Sequence, residues 1–379
     1  VIGLIVIWLA IFALAICIRI VLRSTLPSGK GKSRKSGDVE ELEQVKPVSK
    51  KKSLRILIVI VILGLAVNLI LPKMLDIGRA VDVLRGMSWW LVLAAFGLEI
   101  LAYLSYGFAI DSVLKIQGEK IGMVQSALIY LTSYSVGVVA GGWLGAAATT
   151  YSLFVRKGVK RSNAMVAGLL PAMLSNVPLT LIAIAGIVTL SFSGNLSKAQ
   201  LIQYSVFILL LLLFTFGYLL ALVFPKASFK LVNWVLWHVN RLRKKPYDPL
   251  KTQESLNRLF DAWRQMGKGR WKLPLLGVFG YYGFDVLMMY LIFRALGYPV
   301  SFGVLFAGYG LPLLLAKMAF IVPGGVGVIE TSMAALFSSL SVPNDVTLVT
   351  ILSYRLIAFW IPIFLGFVSY LTISRKAKA

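Results

Sequence analysis

The chain has 379 residues, 58% of them hydrophobic and 14% charged, with a mean hydropathy of +0.83, which excludes an ordinary water-soluble domain. Its formal charge of +24 comes from 39 Lys and Arg against 15 Asp and Glu. The basic residues sit in short stretches between apolar runs without an aromatic-interleaved platform, which argues against a nucleic-acid partner and for positive-inside membrane topology with contact to anionic lipid.

A membrane-spanning helix needs about 20 mainly apolar residues. Seven segments meet this, at approximately 1–22, 54–72, 89–110, 164–190, 200–224, 273–293 and 345–373. The first is longer than a signal-peptide core and lacks a small-residue cleavage pattern, so it reads as a retained N-terminal span. It opens on Val1 rather than Met, which points to a non-standard start codon or to sequence upstream. Residues 23–53 are rich in Ser, Gly and Lys around Asp38, Glu40, Glu41 and Glu43, the composition of a disordered, basic cytoplasmic linker. The main domain is then 54–373, followed by a basic tail, 374–379.

Charge sets the orientation. The stretches 23–55, 156–161 and 225–272 and the tail with Arg375, Lys376 and Lys378 are strongly basic, and all four are expected on the cytoplasmic side of a cell membrane, inner or plasma. Within 225–272, Leu256, Leu259, Phe260, Trp263 and Met266 recur at helical spacing opposite Arg258, Asp261 and Arg264. That pattern suits a helix lying on the membrane surface, or one packed on the span ends.

With those regions on one side, 121–157 must begin and end inside, and 303–340 must begin and end outside. The return arm 146–155 is too short to cross at about 1.5 Å per residue, and both regions turn at glycines, so both are expected to be re-entrant hairpins. Irregular backbone at that depth is tolerated only inside protein or against a cavity. The expected fold is therefore an all-α, polytopic membrane helical bundle, with about seven full spans plus two inverted, glycine-turn re-entrant hairpins.

The hairpins also resemble each other. Gly141-Gly142-Trp-Leu-Gly145 leads to Leu153-Phe154, as Gly324-Gly325-Val-Gly327 leads to Leu336-Phe337, and each copy runs into an apolar span with a central proline, Pro178 or Pro362. Inverted repeats with broken helices near the bilayer midplane are a recurring plan of secondary transporters. Glycine lets a backbone or ligand approach closely, and the amides that open the helix after Gly327 would present partial positive charge to an anion such as a lipid phosphate.

Ionisable groups at bilayer depth are costly, so each is a functional candidate. Lys317 and Arg355 are candidates to contact a phosphate headgroup, with Glu330 and Asp285 orienting them or carrying a coupling proton. The alternative is that Glu330 pairs with Arg355, or Asp285 with Lys317, to lock the fold. Glu99 and Arg294 lie near span ends and are expected to snorkel to the interface. Cys17 is the only cysteine and His238, beside Trp234, Trp237 and Arg241, the only histidine. Neither supports a metal site, and no catalytic set, P-loop or dinucleotide fingerprint can be assembled. No cofactor is expected, and the chain is not expected to be an enzyme.

At Pro323-Gly-Gly-Val-Gly-Val-Ile-Glu330-Thr, with Tyr354-Arg355 downstream, the sequence resembles the lysylphosphatidylglycerol synthetase transmembrane, or flippase-like, family, over roughly residues 54–373. The resemblance implies an all-helical membrane domain that moves or binds anionic, aminoacylated or polyprenyl-linked lipids. In the best-known members that domain is fused to an aminoacyl-lipid synthase, which is not expected here because the sequence ends at Ala379. The lipid-binding or transport residues are then Pro323, Gly324, Gly325, Gly327, Glu330, Arg355, Lys317 and Asp285, with Gly141, Gly142 and Gly145 in the first copy. Ala147 stands where the second copy has Glu330, and Ala172 where it has Arg355, so polar chemistry concentrates in the second copy. The expected partners are membrane phospholipids with anionic headgroups. A role as anchor or regulatory module for a separate lipid-modifying or glycosyltransferase enzyme is the alternative, and a homodimer stays open.

Overall fold

The computed structural model describes residues 86–139, 143–192, 269–318 and 323–376, with Asp82 and scattered positions between 202 and 261. The expected spans 1–22, 54–72 and 200–224, the linker 23–53, Gly141, Gly142, most of the loop 225–272 and the end of the tail lie outside the described residues.

Among the described residues ten α-helices with continuous bounds follow in order: α1 Trp89–Ile116, α2 Met123–Val139, α3 Trp143–Arg156, α4 Arg161–Leu174, α5 Asn176–Phe192, α6 Lys272–Ala295, α7 Phe302–Met318, α8 Val328–Ser339, α9 Asn344–Arg355 and α10 Ile361–Lys376. Among the described residues there is no strand. Helix is what such apolar sequence must form in lipid, because every backbone donor and acceptor is then satisfied within the segment. Four stretches are long and apolar enough to cross a membrane, Trp89–Ile116, Arg161–Phe192, Lys272–Ala295 and Asn344–Tyr370. They coincide with four of the expected spans. The two glycine regions fold as helical hairpins, α2 with α3 and α7 with α8.

Two of the long spans are not continuous α-helix, and proline explains where each is interrupted. Pro178 has no N–H for the carbonyl of Leu174, and the helix breaks at Ser175 between α4 and α5. Pro362 likewise leaves the carbonyl of Ala358 without its usual donor, inside a π-helical turn, Leu356–Trp360, between α9 and α10.

The internal repeat extends well beyond the glycine motif. The shift that carries Gly141 onto Gly324 also carries Trp89 onto Lys272 and Arg161 onto Asn344, the first residues of matching helices. Thus α1 to α5 correspond in order to α6 to α10. The two lead helices, α1 and α6, pack along their whole length in antiparallel register: the Ser88 N–H donates to the Ala295 carbonyl at 2.8 Å, Tyr103 meets Tyr281, and Gly277 lies on Ser105 and Ala109. The lead helices of the two copies therefore run in opposite directions.

The hairpins are exchanged between the halves. α2 packs on α10, and α7 packs on α5. Glycine creates both seams. A methyl group at Gly186 of α5 would overlap the backbone of Ala307 in α7, and one at Gly366 of α10 would overlap the Ser135 hydroxyl in α2. Lipid tails are as apolar as a leucine, so close backbone approach and dispersion hold such seams where the hydrophobic effect is weak.

Candidate functional site

The second glycine turn is the most elaborate backbone feature. Gly324, Gly325 and Gly327 have φ of 62°, 64° and 87°, a left-handed region that side chains disfavour. These angles reverse the chain between α7 and α8 in a few residues. The turn is also hemmed in, since a side chain at Gly324 would overlap Phe359 and one at Gly325 would press on Ala316 and Ile329. α8 then opens with a carboxylate cap, in which the Gly327 N–H donates to Glu330 Oε2 at 2.7 Å.

The same carboxylate meets Arg355. Its Oε1 lies 2.6 Å from Arg355 Nε, although that N–H is not aligned for a hydrogen bond, and both side chains are about 5% exposed. The guanidinium stacks over the Phe359 ring at 3.8 Å, and its Nη2 approaches the Gly324 carbonyl at 3.4 Å. Of the two readings left open by the sequence, Glu330 paired with Arg355 is the arrangement found. The pair clamps the start of α8 to the end of α9.

Asp285 does not pair with Lys317. It is buried in α6, where Oδ2 accepts hydrogen bonds from the hydroxyls of Tyr309 at 2.6 Å and Tyr354 at 3.2 Å. Lys317, near the end of α7, is exposed. Its ammonium donates to Ser175 Oγ at 3.0 Å and Asn176 Oδ1 at 3.1 Å, and lies 5.3 Å from the centre of the Tyr282 ring. Ser175 and Asn176 are the residues at the break in the span Arg161–Phe192, so the cation of one half is seated on the helix interruption of the other. Among the described residues no carboxylate neutralises it.

The structure thus gathers Gly324, Gly325, Gly327, Glu330 and Arg355 at one turn, whereas Lys317 reaches the break between α4 and α5 and Asp285 is bonded to Tyr309 and Tyr354. Pro323 opens the turn as part of its short 3-10 segment. From the first half, Gly145 lies within α3, where its carbonyl accepts from the Thr149 hydroxyl at 2.8 Å. The end of α2 does reach the site, since Val138 packs with Val326, Phe359 and Ile363.

One expectation is corrected. Glu99 does not snorkel, because it is 4% exposed and faces the α1–α6 seam among tyrosines; it sits at the middle of the predicted span 89–110, too deep to reach either interface. Arg294, by contrast, is exposed at the end of α6. The sequence reading also missed Ser175, Asn176 and Tyr309 as partners. Their only prior signal was the polar pair ahead of Pro178. His238 is exposed and lies tilted against Trp234 and edge-on to Trp237, with its Nδ1 2.9 Å from the Trp234 carbonyl. Among the described residues no three His, Cys, Asp or Glu gather to hold a metal ion.

Antiparallel lead helices, broken spans and a glycine turn with buried charge are the frame of a helical integral membrane protein. The chain belongs to the family described as the lysylphosphatidylglycerol synthase TM region, which matches residues 44–366. It is similar to the inner membrane protein YbhN of Escherichia coli, at 23% identity over 86% of this chain and 93% of that protein. It also resembles the UPF0104 membrane protein MJ1595 of Methanocaldococcus jannaschii, at 31% identity over 34% of this chain and 39% of the relative. The UPF0104 membrane protein PH1989 of Pyrococcus horikoshii is 35% identical over 26% of this chain and 29% of its own length. The matches therefore span well under two thirds of the two archaeal relatives and nearly all of YbhN.

Proposed function

We propose that this chain handles phospholipid, binding an anionic headgroup at Lys317 and carrying or holding it between the two hairpins, which enter the membrane and return on the same side. The observation that carries this reading is Lys317 itself. It is an exposed ammonium on an apolar helix, held only by neutral oxygens and an aromatic face among the described residues. Such a charge is costly in the bilayer unless hydrated or matched by an anion, and a lipid phosphate is the anion a membrane supplies. Arg355 is spent on Glu330 and shapes the turn rather than meeting the ligand. The antiparallel halves support translocation, because a central site between inverted repeats can face either leaflet as the halves rock. Anionic, aminoacylated and polyprenyl-linked lipids all carry the phosphate this site would read.

The test is reconstitution of the chain in zwitterionic vesicles carrying a trace of fluorescent phosphatidylglycerol. The protein is expected to speed exchange of the labelled lipid between leaflets, and Lys317→Gln to slow it at least tenfold. The proposal fails if the wild-type chain neither exchanges the lipid faster than empty vesicles nor retains it through purification.

A further inference from the structure

The seam between α1 and α6 holds acid chemistry that the lipid reading does not use. Its antiparallel register, set by Ser88 on Ala295, Tyr103 on Tyr281 and Gly277 on Ser105, brings Glu99 opposite Asp285. The two carboxylates are close enough for their charges to interact, and each residue is 4% exposed. Glu99 Oε2 and Asp285 Oδ1 both lack a hydrogen-bond partner among the described residues. A third orphan lies with them, the hydroxyl of Tyr103, which is 8% exposed and within electrostatic reach of both acids.

Among the described residues no cation is available to balance the pair. Arg355 is held by Glu330, and Lys317 by Ser175, Asn176 and Tyr282. The other titratable groups around the seam are neutral phenols: Tyr106 on α1, Tyr130 and Tyr134 on α2, Tyr281 and Tyr282 on α6, Tyr309 on α7 and Tyr354 on α9. The buried faces of α4 and α5 carry no charge. Two neighbouring carboxylates cannot both stay ionised in so dry a setting without a cation between them.

We propose that Glu99, Asp285 and Tyr103 form a binding site for one monovalent cation, a proton or a sodium ion, at the seam between the two halves. The oxygens assign the parts. Asp285 keeps the negative charge, because two phenolic hydroxyls already donate to its Oδ2. A bound proton belongs on Glu99, where the acid can donate toward the free Oδ1. A sodium ion would instead take the three orphan oxygens together. Because α1 and α6 are corresponding helices of opposite halves, occupancy sets the charge of the surface on which the halves move. The site stands whether or not the chain moves lipid.

Infrared difference spectroscopy on the chain in lipid nanodiscs tests this without any lipid substrate. In sodium-free buffer near neutral pH the wild-type protein is expected to show a protonated-carboxyl band. Glu99→Gln should abolish it and Glu99→Asp retain it, with helicity and monodispersity unchanged. Loss of the band on adding sodium chloride, with a shift in the carboxylate bands, identifies sodium as a ligand, whereas indifference to sodium identifies the proton alone. Should Glu99→Gln fail to fold, the wild-type band and its sodium response decide. Absence of the band together with carboxylate bands indifferent to sodium overturns the proposal, as does a band that survives in a folded Glu99→Gln variant.

Discussion

Neutralising Glu330 separates its two contacts. Glu330→Gln keeps an amide oxygen that can still accept the Gly327 N–H and cap α8, but it leaves the Arg355 guanidinium buried with only Phe359 and a long contact to the Gly324 carbonyl. Breaking a buried pair from one side costs about 3–5 kcal/mol, because the surviving charge stays desolvated. Glu330→Ala should cost about 1 kcal/mol more, the usual value of a lost cap. Arg355→Met strands Glu330 in the same way and should fall in the same range. The double variant Glu330→Gln, Arg355→Met buries no charge at this position, so it should be more stable than either single variant. Denaturation of the purified protein in one detergent, monitored for all four variants and the wild type, measures the coupling directly. If the two single effects are each below about 1 kcal/mol and add to within about 0.5 kcal/mol, the charges are independently solvated and the pair does not clamp α8 to α9.

The glycine seams give a matched test. Gly186→Ala and Gly366→Ala should each destabilise the protein by about 1–3 kcal/mol through overpacking, read as a fall in melting temperature, whereas Gly97→Ala and Gly283→Ala, which have open space around them, should be neutral or stabilising by up to about 1 kcal/mol. Gly327→Ala should cost about 1–2 kcal/mol for a left-handed residue, visible as faster proteolysis between α7 and α8. Tyr309→Phe removes the 2.6 Å hydrogen bond to Asp285 and should cost about 1.5–3 kcal/mol, since the acceptor is a buried carboxylate. Asp285→Asn, Tyr309→Phe together should then cost less than the sum of the single changes.

Much of the plan could be read from apolar runs alone. Residues 89–110, 164–190, 273–293 and 345–373 are so continuously apolar that membrane-spanning helix was the only economical reading, and paired glycines marked both hairpins. The repeat was visible only at its glycines and the Leu-Phe and proline that follow them, because α1 and α6 share position in the repeat but little residue identity. Contacts set by helix register were not legible. Whether Glu99 turns to lipid, to the interface or to Asp285 depends on how α1 is rotated and slid against α6, and that follows from the small residues at Ser105, Ala109 and Gly277 rather than from anything near Glu99. Whether Arg355 and Lys317 meet a lipid phosphate or pair with Glu330 and Asp285 respectively was equally undecided, since both are cations in apolar helices. Arg355 ends α9 where the π turn begins and meets Glu330, while Lys317 reaches across to the break at Ser175.

The exchange of hairpins between halves bears on how the chain is made. α5 leaves the ribosome with its glycine seam uncovered, and the segment that fills it, α7, is synthesised more than a hundred residues later. α2 must wait longer still, for α10 at the far end of the domain. Neither half closes its own surface, so synthesis truncated after the first repeat would deliver to the membrane a fragment with an open groove at Gly186 and an unclad α2. The two halves, made as separate polypeptides, should find each other there.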